Sequence, residues 1–297
     1  MGVTYQSAAD GIVLVKAGAG ENWDAVVAQT VARGLSGLEN LSGIPGTVGA
    51  APVQNINAYG ATVADVIDSV EVYDSSTDSV RTLTASECLF GYRDSIFKQS
   101  AGRHLIVLFV TFRLASAATV NLSYRSSSQS IKLFLEEKNI TTPTVADVRD
   151  AVLHVRSNIG MLLGQFRSAG SFFKNTIVSK EVFEGVQAVV EKEFAMISEK
   201  LSPWHWELEG GEQKIATAFL LECSPYNKNT YGSKAWRDVV GISPRHSLSI
   251  VTLDNATATD VKDFVEEIKT SVRNIFGVRL ETEVDYIYDE TVLKIKK

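Results

Sequence analysis

The chain has 297 residues, 45% of them hydrophobic and 22% charged, which is the balance of a soluble globular protein long enough for two domains. A formal net charge of −6 and a pI near 5.4 argue against a nucleic-acid or anionic-membrane surface, while leaving room for a local basic pocket. Cys88 and Cys223 are the only cysteines and form no CxxC pair, so neither a disulfide framework nor a zinc site is indicated and two buried thiols in a reducing compartment are expected.

The opening MGVTYQSAADG has neither the basic region nor the apolar core of a signal peptide, Gln6 fails the myristoylation pattern, and no apolar run approaches a membrane span. A cytoplasmic protein is the expectation. Residues 12–18, IVLVKAG, predict a strand that turns at Gly18 and Gly20 into a helix with Trp23, Val26, Val27, Thr30 and Val31 on one face, ended by Gly34. Residues 69–74 and 79–83 alternate around Ser75 to Asp78 and predict a hairpin. Thr84 and Glu87 have the spacing of a capping box for a short helix. Residues 104–114 predict a long central strand, and the serine-rich 116–132 predicts a loop.

Thr144 is placed to cap a helix reaching Val155, with Val145, Val148 and Val152 on its inner face. Helical patterns recur over 180–197 and 214–222, with Glu191, Glu193 and Glu199 on a solvated face. Residues 248–253 predict a strand, and Trp204 and Trp206 flank His205 in a loop. The last helix is capped by Thr259, lined by Val261, Phe264, Val265, Ile268, Val272 and Ile275, and stopped by Gly277, after which LETEVDYIY predicts a strand. Strands and helices mixed without a strict βαβ rhythm predict an α+β fold.

One stretch fits none of these patterns. Residues 34–60, GLSGLENLSGIPGTVGAAPVQNINAYG, carry glycines at 34, 37, 43, 46, 49 and 60 around Pro45 and Pro52 and almost no charge. Such a loop exposes backbone N–H groups and lets a ligand approach closely, which suits a phosphate or a flat cofactor; a crowded packing turn has the same composition. It is neither a P-loop nor a GxGxxG fingerprint.

Three side chains elsewhere stand in unusual settings. Arg93 lies in the aromatic strip FGYRDSIFK, where a planar guanidinium suits a carboxylate ligand or an internal salt bridge to Asp94 or Glu87. Ser171, in AGSFFKN, serves either as a turn residue or as a hydroxyl facing a dry cleft, and no adjacent His or Asp supports a nucleophilic triad. Glu283, in LETEV, is an ordinary exposed strand glutamate or a site carboxylate. The histidines at 104, 154, 205 and 246 have no metal-ligand spacing, so no metal is expected.

Taken in order with GAGENW at 18–23, these strings, SGIPG…QN…AYG, FGYRDSIFK, AGSFFKN and LETEV, resemble the UDP-N-acetylenolpyruvoylglucosamine reductase family, also called UDP-N-acetylmuramate dehydrogenases or MurB, in its long form. The resemblance runs from about Val13 to Ile287. It implies an FAD-binding domain over 1–160, a substrate-binding domain over 161–276 and a C-terminal strand over 277–297 carrying the site glutamate. It also implies that the first, pyrophosphate-holding lobe of the flavin domain is absent from this chain.

Further expectations follow from the resemblance. FAD would lie against Ser42, Gly43, Ile44, Pro45, Gly46, Gly49, Ala50, Asn55, Ala58, Tyr59 and Gly60. Arg93 would hold and polarise the enolpyruvyl carboxylate, Ser171 would donate a proton to substrate carbon, Glu283 would stabilise the enol intermediate, and all three would reach one cavity. Tyr124 and Asn175 would contact the UDP-sugar substrate, and NADPH would supply the electrons. Some positions depart from the family: Ile159 replaces a lysine, Thr176 and Thr282 replace prolines, 217–221 replaces AGWLI, and serines follow Tyr124. Two functions are therefore in play: reduction of UDP-N-acetylglucosamine enolpyruvate in peptidoglycan precursor synthesis, or a flavin-free, non-catalytic relative serving as a binding module.

Overall fold

The computed structural model describes residues 2–116, 120–122, 131–232 and 234–287. It divides into two compact units, Met1–Gln165 and Phe166–Lys297.

In the first unit the strands are β1 (Val3–Ser7), β2 (Ile12–Gly18), β3 (Leu35–Ser36), β4 (Asn57–Ala58), β5 (Ala61–Thr62), β6 (Ile67–Asp74), β7 (Ser79–Thr84) and β8 (Leu105–Ser116). The main sheet has the order β1-β2-β8-β6-β7 with β3 on β8, and every pairing is antiparallel. The predicted hairpin is β6–β7, with Ser69 opposite Thr84 and Asp74 opposite Ser79. The apolar run 104–114 is central as expected, because β8 accepts partners along both edges. Strand β1 was not apparent in the sequence; its Val3 and Tyr5 are only half-buried, so its apolar signal is weak.

Helix α1 (Trp23–Val31) is capped by Asn22, whose side chain accepts from the Ala25 amide at 2.9 Å. Its face of Trp23, Val26, Val27, Thr30 and Val31 is buried, and Trp23 meets Phe112 of β8 edge-on at 5.8 Å. Two short helices follow, α2 (Ala50–Gln54) inside the glycine-rich stretch and α3 (Ile131–Glu137) at the end of the serine-rich one. Neither was expected; α2 is only five residues long and lacks an amphipathic repeat. Helix α4 (Val145–Asn158) starts at the predicted Thr144, which forms a full capping box with Asp147. The Thr84–Glu87 pair also forms its reciprocal bonds, but they close a turn rather than start a helix.

The second unit contains β9 (Ser168–Ser171), β10 (Thr176–Val178), β11 (His205–Glu207), β12 (Gln213–Ile215), β13 (Val240–Ser243) and β14 (His246–Thr252). They form two antiparallel sheets, β13-β14-β9 and β10-β12-β11. The helices are α5 (Lys180–Glu193), α6 (Ala195–Lys200), α7 (Thr217–Glu222), α8 (Lys228–Tyr231) and α9 (Ala258–Phe276). Phe173, Ile215, Leu220, Leu221, Ile242 and Phe264 fill its core.

Several boundaries differ from the sequence reading. The 180–197 pattern is two helices separated at Phe194. Lys214 is in strand β12, and the helix begins only at Thr217. His205 and Trp206 lie in β11 rather than a loop, and Trp204 stacks on Phe219 at 4.4 Å. Helix α9 is capped by Thr257, not Thr259: Thr257 makes the capping box with Asp260, and Gly277 ends the helix in the left-handed region at φ +70°. Over its described residues, 280–287, the LETEVDYIY segment contributes one bridge, Thr282 to Phe173, instead of a strand.

Candidate functional site

The glycine-rich stretch of the first unit is held by the turn between β2 and α1. The Gly49 N–H donates to the Ala19 carbonyl at 2.9 Å, the Val48 N–H to Glu21 at 2.9 Å, and the Trp23 N–H to the Gly46 carbonyl at 3.0 Å. The Trp23 indole N–H donates to the Leu41 carbonyl at 2.9 Å. Glu39, the one charge in the stretch, is buried and accepts from the Gly37 amide at 2.6 Å and the Ser36 hydroxyl at 3.0 Å. Buried Asn40 donates to the carbonyls of Tyr59 and Asn121, and the Asn121 amide donates to Gly60, so the Tyr59–Gly60 corner is fixed from two sides.

This pinning consumes the polar groups that face the protein and leaves others. Pro45, Gly46 and Thr47 form an exposed tip, while Ser42 and Val48 on either side are buried. The N–H groups of Ile44, Gly46 and Thr47 meet no acceptor among the described residues. In a trans peptide the N–H points opposite to the preceding carbonyl, so anchoring the Gly46 carbonyl on Trp23 turns the Thr47 N–H away from α1. Gly46 sits at φ +123° with open space where a Cβ would lie, whereas a Cβ on Gly43 would press against Leu153 and Leu162. The tip is thus an open edge of unspent donors, a set suited to the phosphate and ring oxygens of a nucleotide cofactor such as FAD.

The FGYRDSIFK strip folds onto the same stretch. The Ser95 hydroxyl, fully buried, donates to the Val53 carbonyl at 2.8 Å, the Lys98 ammonium to the Gln54 side chain at 2.9 Å, and the Asn55 amide to the Gly91 carbonyl at 2.8 Å. Asn55 itself is left-handed, at φ 45°, and buried. Arg93 sits at the corner of a tight turn in which Gly91 and Asp94 exchange main-chain hydrogen bonds, at φ 55°, a conformation uncommon outside glycine. Its guanidinium donates to the Asn57 carbonyl at 3.3 Å and lies 5.9 Å from the Tyr92 ring centre. Half-buried Ala58 follows in β4 and exposed Ala50 opens α2.

In the second unit, half-buried Ser171 ends β9, where its register partner on β14 is buried Ser249. Phe172 and Phe173 are both buried behind it. The Glu283 N–H donates to the Phe172 carbonyl at 2.8 Å and the Lys174 N–H to Glu281 at 3.0 Å, so GSFFK and LETEV run side by side. Glu283 is half-buried. Asn175 accepts the Thr217 N–H at 3.2 Å, satisfying the first amide of α7, while the Thr217 hydroxyl donates to the Lys174 carbonyl. Ser171, Asn175 and Glu283 therefore share one backbone neighbourhood. Tyr124 lies outside the described residues.

The supporting residues were the ones that sequence reasoning missed. Asp24 makes a two-point ion pair with Arg149, at 2.7 and 2.8 Å, and accepts the Gly43 N–H at 2.6 Å. Arg156 donates to the Gly43 carbonyl at 3.1 Å and to Met161, and bonds Tyr59. Only Glu39 left a trace, as a lone charge in an uncharged stretch. The buried thiols are as expected, and burial pushes Cys88 up to about 11 and Cys223 up to about 12. Among the described residues no group of acidic, histidine or cysteine side chains is arranged for a metal, and no helix is long and apolar enough to cross a membrane.

Comparison with known proteins agrees with this layout. The family model described as UDP-N-acetylenolpyruvoylglucosamine reductase, C-terminal domain, matches residues 162–287, and that of an FAD binding domain matches 8–84. A UDP-N-acetylenolpyruvoylglucosamine reductase of Thermobifida fusca is 37% identical over 288 residues, covering 95% of this chain and 76% of the relative. Those of Xanthomonas euvesicatoria and Neisseria meningitidis serogroup C are 38% and 35% identical, covering 91% and 96% of this chain and 71% and 77% of theirs. The crystal structure of the Thermus caldophilus UDP-N-acetylenolpyruvylglucosamine reductase shares the fold, with a TM-score of 0.56 at 23% identity over 91% of this chain and 71% of that one. With relatives of this identity and coverage, the chain belongs to the UDP-N-acetylenolpyruvoylglucosamine reductase family.

Proposed function

We propose that this chain reduces UDP-N-acetylglucosamine enolpyruvate to UDP-N-acetylmuramate with electrons from NADPH, a step in peptidoglycan precursor synthesis. The observation that carries this reading is membership of the reductase family together with an open edge of donors at Ile44, Gly46 and Thr47 in the FAD-binding region. FAD held there would supply the hydride chemistry that links NADPH to the enolpyruvyl group, so that two substrates are served in turn.

The residues hold and complete that chemistry. The stretch Ser42, Gly43, Ile44, Pro45, Gly46, Gly49 and Ala50, with Asn55, Ala58, Tyr59 and Gly60, holds the cofactor. Arg93 binds and polarises the substrate carboxylate; the Asn57 contact and the turn that presents the guanidinium support this role. Ser171 delivers the proton to carbon, balancing the hydride with one H⁺, from a half-buried position beside two buried phenylalanines. Glu283 stabilises the enol form, supported by its fixed main-chain partner. Asn175 and Tyr124 contact the UDP-sugar, Asn175 from a position already fixed by α7.

Anaerobic stopped-flow measurement separates the two half-reactions. NADPH is expected to bleach the visible flavin absorbance of the purified protein, and UDP-N-acetylglucosamine enolpyruvate to restore it. Protein that binds FAD but is not reoxidised by this substrate would overturn the substrate assignment; protein that binds no FAD would overturn the flavin reading.

A further inference from the structure

Within the glycine-rich stretch, Gly43 is gripped at both its N–H and its carbonyl by charged side chains. Asp24 accepts its N–H at 2.6 Å, a short charge-assisted bond, and Arg149 holds both Asp24 oxygens in a fork. The Arg149 guanidinium holds the Asp24 carboxyl below the usual carboxylate range, so this grip is charged at neutral pH. Arg156 takes the Gly43 carbonyl with Nε at 3.1 Å and the Met161 carbonyl with Nη2 at 3.0 Å, and bonds Tyr59 as well. The side chains arrive from α1 and from α4, whose Arg149 and Arg156 are seven residues, about two helical turns, apart and so lie on one face.

The Gly43 carbonyl and the Ile44 N–H belong to one planar peptide, in which the two point in opposite directions. Binding the carbonyl to a guanidinium therefore fixes where the Ile44 N–H points and polarises it as a donor. That N–H is one of those with no acceptor among the described residues. The left-handed φ of +70° and the packing of Leu153 and Leu162 where a Cβ would lie leave Gly43 as the residue able to occupy this grip.

We propose that Asp24, Arg149 and Arg156 are positioning residues that lock Gly43 so that the Ile44 N–H stands as a preset donor for the flavin. The inference rests on the flavin reading above and adds residues to it. Asp24→Ala removes the grip on the Gly43 N–H, and Asp24→Asn keeps an acceptor but loses the ion pair. Arg149→Lys keeps the charge without the fork, and Arg156→Gln weakens the hold on the carbonyl. Val72→Ala, in the fully buried centre of the sheet, is a control for lost stability.

FAD affinity is read by flavin fluorescence titration, urea stability in parallel, and amide exchange at Gly43 and Ile44 by mass spectrometry. Asp24→Ala and Arg156→Gln are expected to raise the FAD Kd at least tenfold and to speed exchange at 43–44. Arg149→Lys and Asp24→Asn fall between these and wild type, and Val72→Ala loses stability with its Kd within twofold. Unchanged Kd in all four clamp variants, or a loss of affinity in Val72→Ala matching its loss of stability, would overturn the clamp while leaving the flavin reading intact. Wild-type protein that fails to bind FAD would instead remove the flavin reading and the clamp with it. If Asp24→Ala does not fold, the two conservative variants decide the question.

Discussion

The Glu283 N–H donates to the Phe172 carbonyl at 2.8 Å, so the residue after Ser171 and the residue bearing the proposed site carboxylate sit on facing backbones. The bridge between Phe173 and Thr282 and the Lys174 bond to Glu281 extend this contact by one step on the other side. Because the link is main-chain, it holds for any side chain at 171 or 283 that leaves the residue 283 N–H in place, which excludes only proline there. The two positions are therefore open to substitution without loss of the local fold.

Ser171→Ala removes the proposed proton donor and leaves that ladder in place. Turnover of the enolpyruvyl substrate is expected to fall by about two to four orders of magnitude, the usual contribution of general acid catalysis, while flavin reduction by NADPH stays within a factor of about two. Single-turnover kinetics of each half-reaction measure this. Equal losses in both half-reactions would mean that Ser171 supports the fold or the flavin rather than the proton transfer.

Helix α9 offers a test of stability with a built-in control. Thr257 makes both bonds of the capping box with Asp260: its N–H donates to the Asp260 carboxylate at 2.9 Å and its hydroxyl oxygen accepts the Asp260 N–H at 3.2 Å. Thr257→Ala is expected to cost about 1 kcal/mol in urea denaturation. Thr259→Ala lies inside the helix and is expected to be neutral or slightly stabilising, since alanine is the better helix former. A larger loss at 259 than at 257 would show that the helix starts later than the structure places it.

The reasons for what was legible in the sequence are visible in these elements. Strands β6 and β8 and helices α1 and α4 announce themselves because each buries one face, and burial imposes a period of two or 3.6 on the apolar residues. The α9 cap was displaced because two threonines stand two apart before the same apolar face, and only the reach to Asp260 separates them. LETEV alternates like a strand yet makes a single bridge, since the pattern records which face is buried and not whether a partner runs alongside. The site strings were legible through resemblance, whereas the grip on Gly43 was not. Asp24, Arg149 and Arg156 sit on the polar parts of helices, where a charged residue is ordinary until the fold brings it to a backbone group.

The approach of Gly49 to the β2–α1 turn sets a steric limit. A Cβ at 49 would lie 2.7 Å from the Ala19 Cβ and 3.2 Å from its carbonyl oxygen, with no flexible side chain to yield. Gly49→Ala is expected to destabilise by about 1–3 kcal/mol and to weaken FAD binding, because the loop and the turn must part. Gly185→Ala makes the contrast: a Cβ there meets nothing within 4 Å, and in the interior of α5 it should stabilise by about 0.5–1 kcal/mol. Urea midpoints of both variants check the pair, and a neutral Gly49→Ala would show that the turn is looser than its hydrogen bond to Ala19 implies.

His246 gives the second unit a pH dependence of its own. Burial first, and then the Lys228 ammonium, push its pKa down to about 4 from 6.5, with Glu222 opposing. The ring Nδ1 accepts the Leu248 N–H at 3.1 Å, a role that suits the neutral form. Lys228 is itself paired with Glu222 at 3.1 Å, and Glu222 accepts the Ser247 hydroxyl, so the charges facing the ring are fixed by one another. Above the unfolded value near 6.5 neither state carries the proton and this residue costs nothing. As the pH falls from 6.5 toward 4, the unfolded chain takes up a proton that the folded protein refuses, and stability drops by up to roughly 3 kcal/mol from this group. Below about 4 both states are protonated and the loss stops growing. His246→Gln keeps an acceptor of similar size and removes the titration, so its stability relative to wild type is expected to stay level between pH 7.5 and about 6.5 and to improve steadily from there to pH 4.5. The depressed carboxyls of Asp24, Asp147 and Asp260 lose their contributions only below about 3.8 and are common to both proteins, so the difference isolates His246. Urea denaturation at four pH values across that interval is the measurement, and parallel curves for the two proteins would show that His246 titrates in the folded state as it does in the unfolded chain.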